Sequence, residues 1–296
     1  MKLKKTQKNN PEFIFVGNRK FVLVEMLRLG LPIKEVIAVE QSNLHRQATE
    51  LGISPLLVSK KSELLDILLN ESFDVLISNG CPFLLPTTGY NNLNPVLVNI
   101  HPSLLPDLGG KDPVPGSVLN KRTSGATCHI IDDGVDTGPI ISQSIIPYTN
   151  DLDVGILYQL SFLAEKKVFV EALELGFEPQ RKQKKTGDEI YYSRSSADQK
   201  LNFVNDSVDD ILNKVKAFGN LSQGVRMDIN GFNFLVYSAK ELHNPSLMEH
   251  ARSFENNQII FCYDDVIIIK KDAKVLMLKS VSGPLKHLKV GTRVAH

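Results

Sequence analysis

The chain is poor in several features that would assign it quickly. It has three cysteines in 296 residues, Cys81, Cys128 and Cys262, and no two of them form a CxxC pair. That spacing argues against a zinc site and a disulfide framework, and for a reducing compartment. Charge of one sign is also lacking: 34 Lys and Arg stand against 33 Asp and Glu, a formal net charge of +1. A nucleic-acid partner, which usually demands a clear basic excess, is therefore not expected. No apolar run nears the roughly 18 to 20 residues that span a bilayer. The opening MKLKKTQKNNPEF is basic and polar with no apolar stretch behind it, unlike a secretion signal. These absences predict a cytoplasmic chain with a loose tail at 1–10 and no membrane partner. Three motifs are missing as well. The first strand–helix junction reads VGNRKF, not GxGxxG, and neither GxxxxGK[ST] nor GxSxG occurs. A dinucleotide fingerprint, a P-loop and a serine nucleophile elbow are thereby disfavoured.

What is present is a rhythm of short apolar runs and amphipathic stretches. FIFVG (13–17), EVIAVE (35–40), DVLISNG (74–80) and PVLVNI (95–100) read as buried strands. KFVLVEMLRLG (20–30), NLHRQATELG (43–52) and SELLDILLN (62–70) read as helices, the last with Ser62 as N-cap. GATCHII (125–131) and PIISQSIIP (139–147) add two strands joined by the polar turn DDGVDTG. A long helix from about Asp151 to Leu175 follows, with Ile156, Leu160, Leu163 and Ala164 on one stripe. This alternation predicts an α/β domain at 11–177, doubly wound around a mostly parallel sheet. The charged, aperiodic segment 178–191 reads as a linker, and its basic cluster Arg181–Lys185 as a solvated one. Beyond it, one amphipathic helix and closely spaced short strands, with an Asn230-Gly231 hairpin turn, predict a smaller α+β, barrel-like domain at 192–296.

Chemistry concentrates in NIHPSLLPDLGG, residues 99–110. Asn99 and His101 are two apart at the end of a strand, so they point to one face. Ligands of doubly wound sheets bind beyond the carboxyl ends of the strands. If the DDGVDTG turn follows a neighbouring strand, Asp136 reaches the same place. An amide donor for a developing oxyanion, an imidazole for proton transfer and a carboxylate to orient it suit direct attack of a substrate nucleophile on a carbonyl. The plainer alternative is a core histidine beside an ordinary Asp-Gly turn. His129, alternating with apolar residues, reads as a strand residue with a structural hydrogen bond. Cys81 and Cys128 read as packing, and Asp132-Asp133 as turn-shaping rather than metal-binding.

NIHPSLLP followed by SGATCHIIDDGVDTGPIISQ closely resembles the formyltransferases that use 10-formyltetrahydrofolate, over most of 13–175. The resemblance implies Asn99, His101 and Asp136 as the catalytic trio, with no metal. It implies a folate site bordered by Ser78, Asn79, Gly80, Cys81, Pro82, Phe83 and Leu84, and by Asp132, Asp133 and Gly134. The loop DLGGKDPVPGSV resembles the sugar-nucleotide members, and the long basic insertion of the transfer-RNA members is missing after the second strand. The resemblance therefore implies N-formylation of a nucleotide-linked amino-deoxy sugar, such as a dTDP-linked 3- or 4-amino-dideoxyhexose. Lys111, Asp112 and Arg19 are the candidate acceptor contacts, with an ordinary surface arginine the plainer reading of Arg19. Gly109 departs from the Arg that many members place before the loop's glycine. Methionyl-tRNA formylation, formyltetrahydrofolate hydrolysis and non-catalytic binding of folate or sugar nucleotide stay open as alternatives, as does a homodimer.

Overall fold

The computed structural model of the protein describes residues 10–91 and 94–294. The expected tail lies, but for residue 10, outside them. The chain begins with β1 (Phe13–Gly17), α1 (Phe21–Arg28), β2 (Ile33–Val39), α2 (Asn43–Gln47), β3 (Leu56–Val58), α3 (Lys61–Asn70) and β4 (Val75–Asn79). It continues with β5 (Val96–His101), α4 (Pro113–Leu119), β6 (Ser124–Ile130), β7 (Ile140–Ile146) and α5 (Val154–Glu174). The seven strands form one sheet in the order β3-β2-β1-β4-β5-β6-β7. Pairing is parallel from β3 to β5, and antiparallel between β5 and β6 and between β6 and β7. Strand order reverses between β1 and β4, and the parallel strands around that switch end at Gly17, Asn79 and His101. Those carboxyl ends mark one rim of the sheet. Ile14, Val16, Leu76 and Leu97 pack on one face with Leu64, Leu68 and Phe73.

Several local expectations need correction. α3 starts at Lys61, so Ser62 is not its N-cap; the Glu63 carboxylate instead accepts the N–H groups of Ser59 at 2.7 Å and Lys60 at 3.2 Å. The DPVPG stretch is not all loop, because α4 begins at Pro113, where a missing N–H costs a helix nothing. The stripe assigned to α5 is also rotated: Ile156 and Leu163 are 48% and 62% exposed. The buried face carries Ser161, Ala164, Glu165, Val168, Phe169 and Ala172, two of them polar, which is why hydropathy alone pointed elsewhere. Among the described residues, no helix is long and apolar enough to cross a membrane.

Contacts divide the chain into two compact units. The first contains residues 1–114, 123–147 and 158–192, and so includes the segment that reads as a linker. The second takes 115–122, 148–157 and 193–296. In it, α6 (Val208–Phe218), β8 (Val225–Ile229), β9 (Phe232–Leu242), α7 (Pro245–Ala251), β10 (Ile259–Tyr263), β11 (Val266–Lys271) and β12 (Lys274–Ser282) follow one another. The strands make an antiparallel sheet in the order β10-β11-β12-β9-β8. Asn230 and Gly231 turn between β8 and β9 with φ of 51° and 79°, the positive pair that a tight hairpin requires. The small barrel-like unit is thus realised as a five-stranded sheet with two helices.

Candidate active site

β5 carries Asn99 and His101 to the sheet rim on one face. His101 is buried, and its Nε2 lies 3.1 Å from the Leu108 carbonyl. That carbonyl only accepts, so the ring proton sits on Nε2 and Nδ1 is left facing Asp136 Oδ1 at 3.6 Å. Asp136 arrives by an indirect route. β6 runs against β5, with His129 opposite Asn99 and Ile130 opposite Val98. The loop after β6 therefore starts at the wrong end of β5 and must double back. Gly138 permits this: a Cβ there would stand 1.8 Å from the Ile130 carbonyl oxygen. Asp132 shapes the turn, its Oδ1 accepting from Gly134 N at 3.2 Å and Thr137 Oγ1 at 2.7 Å. Asp136 then takes a left-handed φ of 56° and aims its carboxylate at the rim. It accepts Asn99 Nδ2 at 3.3 Å and the Gly110 N–H at 3.1 Å.

A fourth residue completes the cluster. His129 Nε2 is 3.2 Å from Asn99 Nδ2 and 3.8 Å from Asp136 Oδ1. Its Nδ1 lies 2.9 Å from the Ile130 carbonyl, so Nδ1 carries the proton and Nε2 accepts from Asn99. Burial is the largest influence on this ring and lowers its pKa, favouring the neutral form. The expected structural hydrogen bond is real, yet the residue is also part of the site. Its signal in the sequence was the strand pairing, since directly opposed residues share a face.

The candidate folate-bordering residues divide. Ser78 and Asn79 are buried in β4, and Asn79 Nδ2 donates to the Ile100 carbonyl at 3.2 Å, bracing the strand between the trio's first two members. Gly80 turns the chain with φ of 73° and backs onto the Arg19 side chain. The Cys81 thiol is pushed up to about 11 by burial and leans on the Phe83 carbonyl at 3.6 Å, so it supplies no thiolate. Pro82 follows it, Phe83 packs against the core and Leu84 is 59% exposed. Asp133 accepts Thr87 Oγ1 at 2.6 Å, which links the 132–134 turn to the chain three residues beyond the first segment. Beside that link a cavity of about 720 Å³ opens, lined by residues 87–90, 94–97, Ile130 and Ile131. Its lining lies after the first segment and just before the second, and includes none of the named folate-bordering residues.

Arg19 is half-buried and paired. Its guanidinium pairs with the fully buried Glu165 and lies 5.9 Å from the Phe162 ring centroid. Burial raises the Glu165 pKa, while Arg19 pulls it down. Lys111 is exposed beside Asp112, at the start of α4. Among the described residues, no group of three or more His, Cys, Asp or Glu side chains stands ready for a metal.

The fold is a doubly wound α/β domain whose sheet rim brings an amide, an imidazole and a carboxylate together. Residues 37–173 match the formyl transferase family. A methionyl-tRNA formyltransferase of Roseiflexus sp. (strain RS-1) is 41% identical over 91 residues, covering 30% of this chain and 26% of that protein. The chain thus spans about a quarter of that relative's length. Among solved structures, WlaRD, a sugar 3N-formyl transferase with dTDP and 5-N-formyl-THF, superposes with a TM-score of 0.65 at 18% identity, over 92% of this chain and 98% of that one. An N-formyltransferase from Helicobacter canadensis, in complex with folinic acid and dTDP-3-aminofucose, gives 0.65 at 18% identity, over 91% and 99%. At such identity the likeness establishes a shared fold.

Proposed function

We propose that the chain moves a formyl group from 10-formyltetrahydrofolate to the amine of a nucleotide-linked amino-deoxy sugar. The observation that carries the reading is the meeting of Asn99, His101 and Asp136 within 3.3 to 3.6 Å at the sheet rim. The neighbours that match almost their whole length are sugar N-formyltransferases, which favours an amino sugar as acceptor. The cavity of about 720 Å³ at residues 87–90 and 94–97 is lined by none of Asn99, His101 and Asp136, so it carries no part of this reading. The folate supplies a formyl carbon activated for attack.

The protein's own groups account for the rest. The acceptor amine attacks the formyl carbon and the carbonyl oxygen gains charge. Asn99 Nδ2 holds two hydrogens, one fixed on His129 and one on the longer 3.3 Å contact to Asp136. The second is the one to be exchanged for the developing oxyanion, and each such donor is typically worth about 3 to 4 kcal/mol of barrier. His101 is anchored through Nε2, so Nδ1 moves the proton. One proton leaves the attacking nitrogen and one is gained by the departing folate nitrogen. Asp136, 3.6 Å from Nδ1, stabilises the ring while it is charged.

Mass spectrometry after incubation with 10-formyltetrahydrofolate and a panel of dTDP-, UDP- and GDP-linked amino sugars, dTDP-3-aminofucose among them, tests this. A formylated sugar is expected, with the yield collapsing about 100- to 1,000-fold in Asn99→Ala and His101→Ala. Formylated methionyl-tRNA, or formate released without acceptor, would replace the acceptor assignment. Full turnover by His101→Ala would remove the mechanism.

A further inference from the structure

Segment 178–192 has a linker's composition but is committed to the site. It starts as an extension of β7: Gln180 N donates to the Ile140 carbonyl at 2.8 Å, and Ile140 N donates to the Arg181 carbonyl at 2.8 Å. Two residues on, Gln183 Nε2 donates to the carbonyls of Asp136 and Gly138, each at 2.8 Å. Farther along, Ile190 N donates to Asp107 Oδ1 at 2.9 Å and Tyr192 N to the Gly109 carbonyl at 2.9 Å. The next residue, Gly110, is the one whose N–H reaches Asp136 Oδ2 at 3.1 Å. One strap therefore grips the backbone of Asp136 on one side and, on the other, the loop that feeds a donor to its carboxylate.

The residue type matters. A carboxamide nitrogen has two hydrogens and serves two carbonyls at once; a carboxylate has none to offer. Asp136 also needs the help, because its φ of 56° is a left-handed conformation that few non-glycine residues adopt. Nothing in the sheet ladder fixes Asp136, since it lies six residues beyond the end of β6.

We infer that Gln183 is a positioning residue: by bonding the carbonyls of Asp136 and Gly138 it sets where the Asp136 carboxylate stands relative to His101 and Asn99. This rests on the catalytic reading of Asp136. The test compares Gln183→Ala and Gln183→Glu, the second keeping the shape but not the donors, with Asp136→Asn. Amide hydrogen exchange at Gly110 is read first, against Val16 in the core of β1, and needs no acceptor. Both Gln183 variants should exchange at Gly110 at least about tenfold faster, with Val16 unchanged. With 10-formyltetrahydrofolate and dTDP-3-aminofucose, kcat should fall about 10- to 100-fold at nearly constant KM, since a misplacement near 1 Å costs on the order of 10²-fold. Wild-type exchange at Gly110 in both variants overturns the inference. So does wild-type kcat in both while Asp136→Asn is crippled. Wild-type kcat in Asp136→Asn overturns the reading of Asp136 itself, and the positioning role with it.

Discussion

Replacing His129 with leucine removes two hydrogen bonds while adding no charge, and the structure sets both the size and the pH dependence of the result. The ring is 2% exposed, bonded through Nδ1 to the Ile130 carbonyl at 2.9 Å and through Nε2 to Asn99 at 3.2 Å. A lost neutral hydrogen bond costs about 0.5 to 1.5 kcal/mol, and a buried donor left unpaired about 1 to 3. Together these give about 2 to 4 kcal/mol near pH 7.5, or a melting temperature lower by about 5 to 15 °C. The gap should shrink in acid. Burial and the nearby His101 hold the folded ring's pKa down, against the opposing pull of the Ile130 carbonyl, Asp136 and Asp132. An unfolded imidazole titrates near about 6.5. Below that, the unfolded chain binds a proton that the folded ring refuses, so the wild type loses up to about 1.4 kcal/mol per pH unit from this group. Leucine has no such linkage. Calorimetric melting of both proteins at pH 7.5, 6.5 and 5.5 should show the difference closing with falling pH, by at most about 1.4 kcal/mol over that range. A difference that stays constant or widens refutes the reasoning. It would mean that His129 is charged in the folded protein, paired with Asp136 at 3.8 Å and unable to accept from Asn99.

Two further substitutions separate architecture from binding. Gly17→Ala would bring a Cβ within 2.0 Å of the Asn79 carbonyl oxygen on the adjacent strand, where no side chain can yield. It should cost about 3 kcal/mol or more, read as a steep loss of melting temperature; a stable variant would show that β1 and β4 part more easily than their register implies. Arg19→Met strands the buried carboxylate of Glu165, which is 0% exposed, and should destabilise by about 3 to 5 kcal/mol with little change in the KM for nucleotide sugar. A raised KM at unchanged melting temperature would return Arg19 to the acceptor site.

The strands around the strand-order switch were legible because each is a continuous apolar run closed by a polar or glycine punctuation. The direction of β6 and β7 was not read from such runs, which look alike in parallel and antiparallel sheets. A usable signal was nonetheless present: only nine residues, 131–139, join β6 to β7, too few for a parallel crossover, which takes about a dozen or more. β3 escaped notice because it has three residues and two of them, Leu56 and Leu57, are about 40% exposed. Arg19 could not be placed from its position near a strand end, since its partner Glu165 comes from a helix 146 residues away whose buried face is partly polar. Asn99 and His101 were legible as a pair from their spacing, whereas His129 joins them only through register.

The three members of the trio are held by different means, and that has consequences for how the site fails. Asn99 and His101 belong to a central strand flanked by β4 and β6, so disturbing their placement means disturbing the sheet. Asp136 stands in a returning loop, held by the Gly110 N–H, by Asn99 and by Gln183 on its backbone. Substitutions behind β5 should therefore lower stability and activity together, whereas those at Gln183 should lower activity while the melting temperature stays nearly constant. The carboxylate is thus the adjustable member of the site, and the 178–192 strap is the part of the chain that adjusts it.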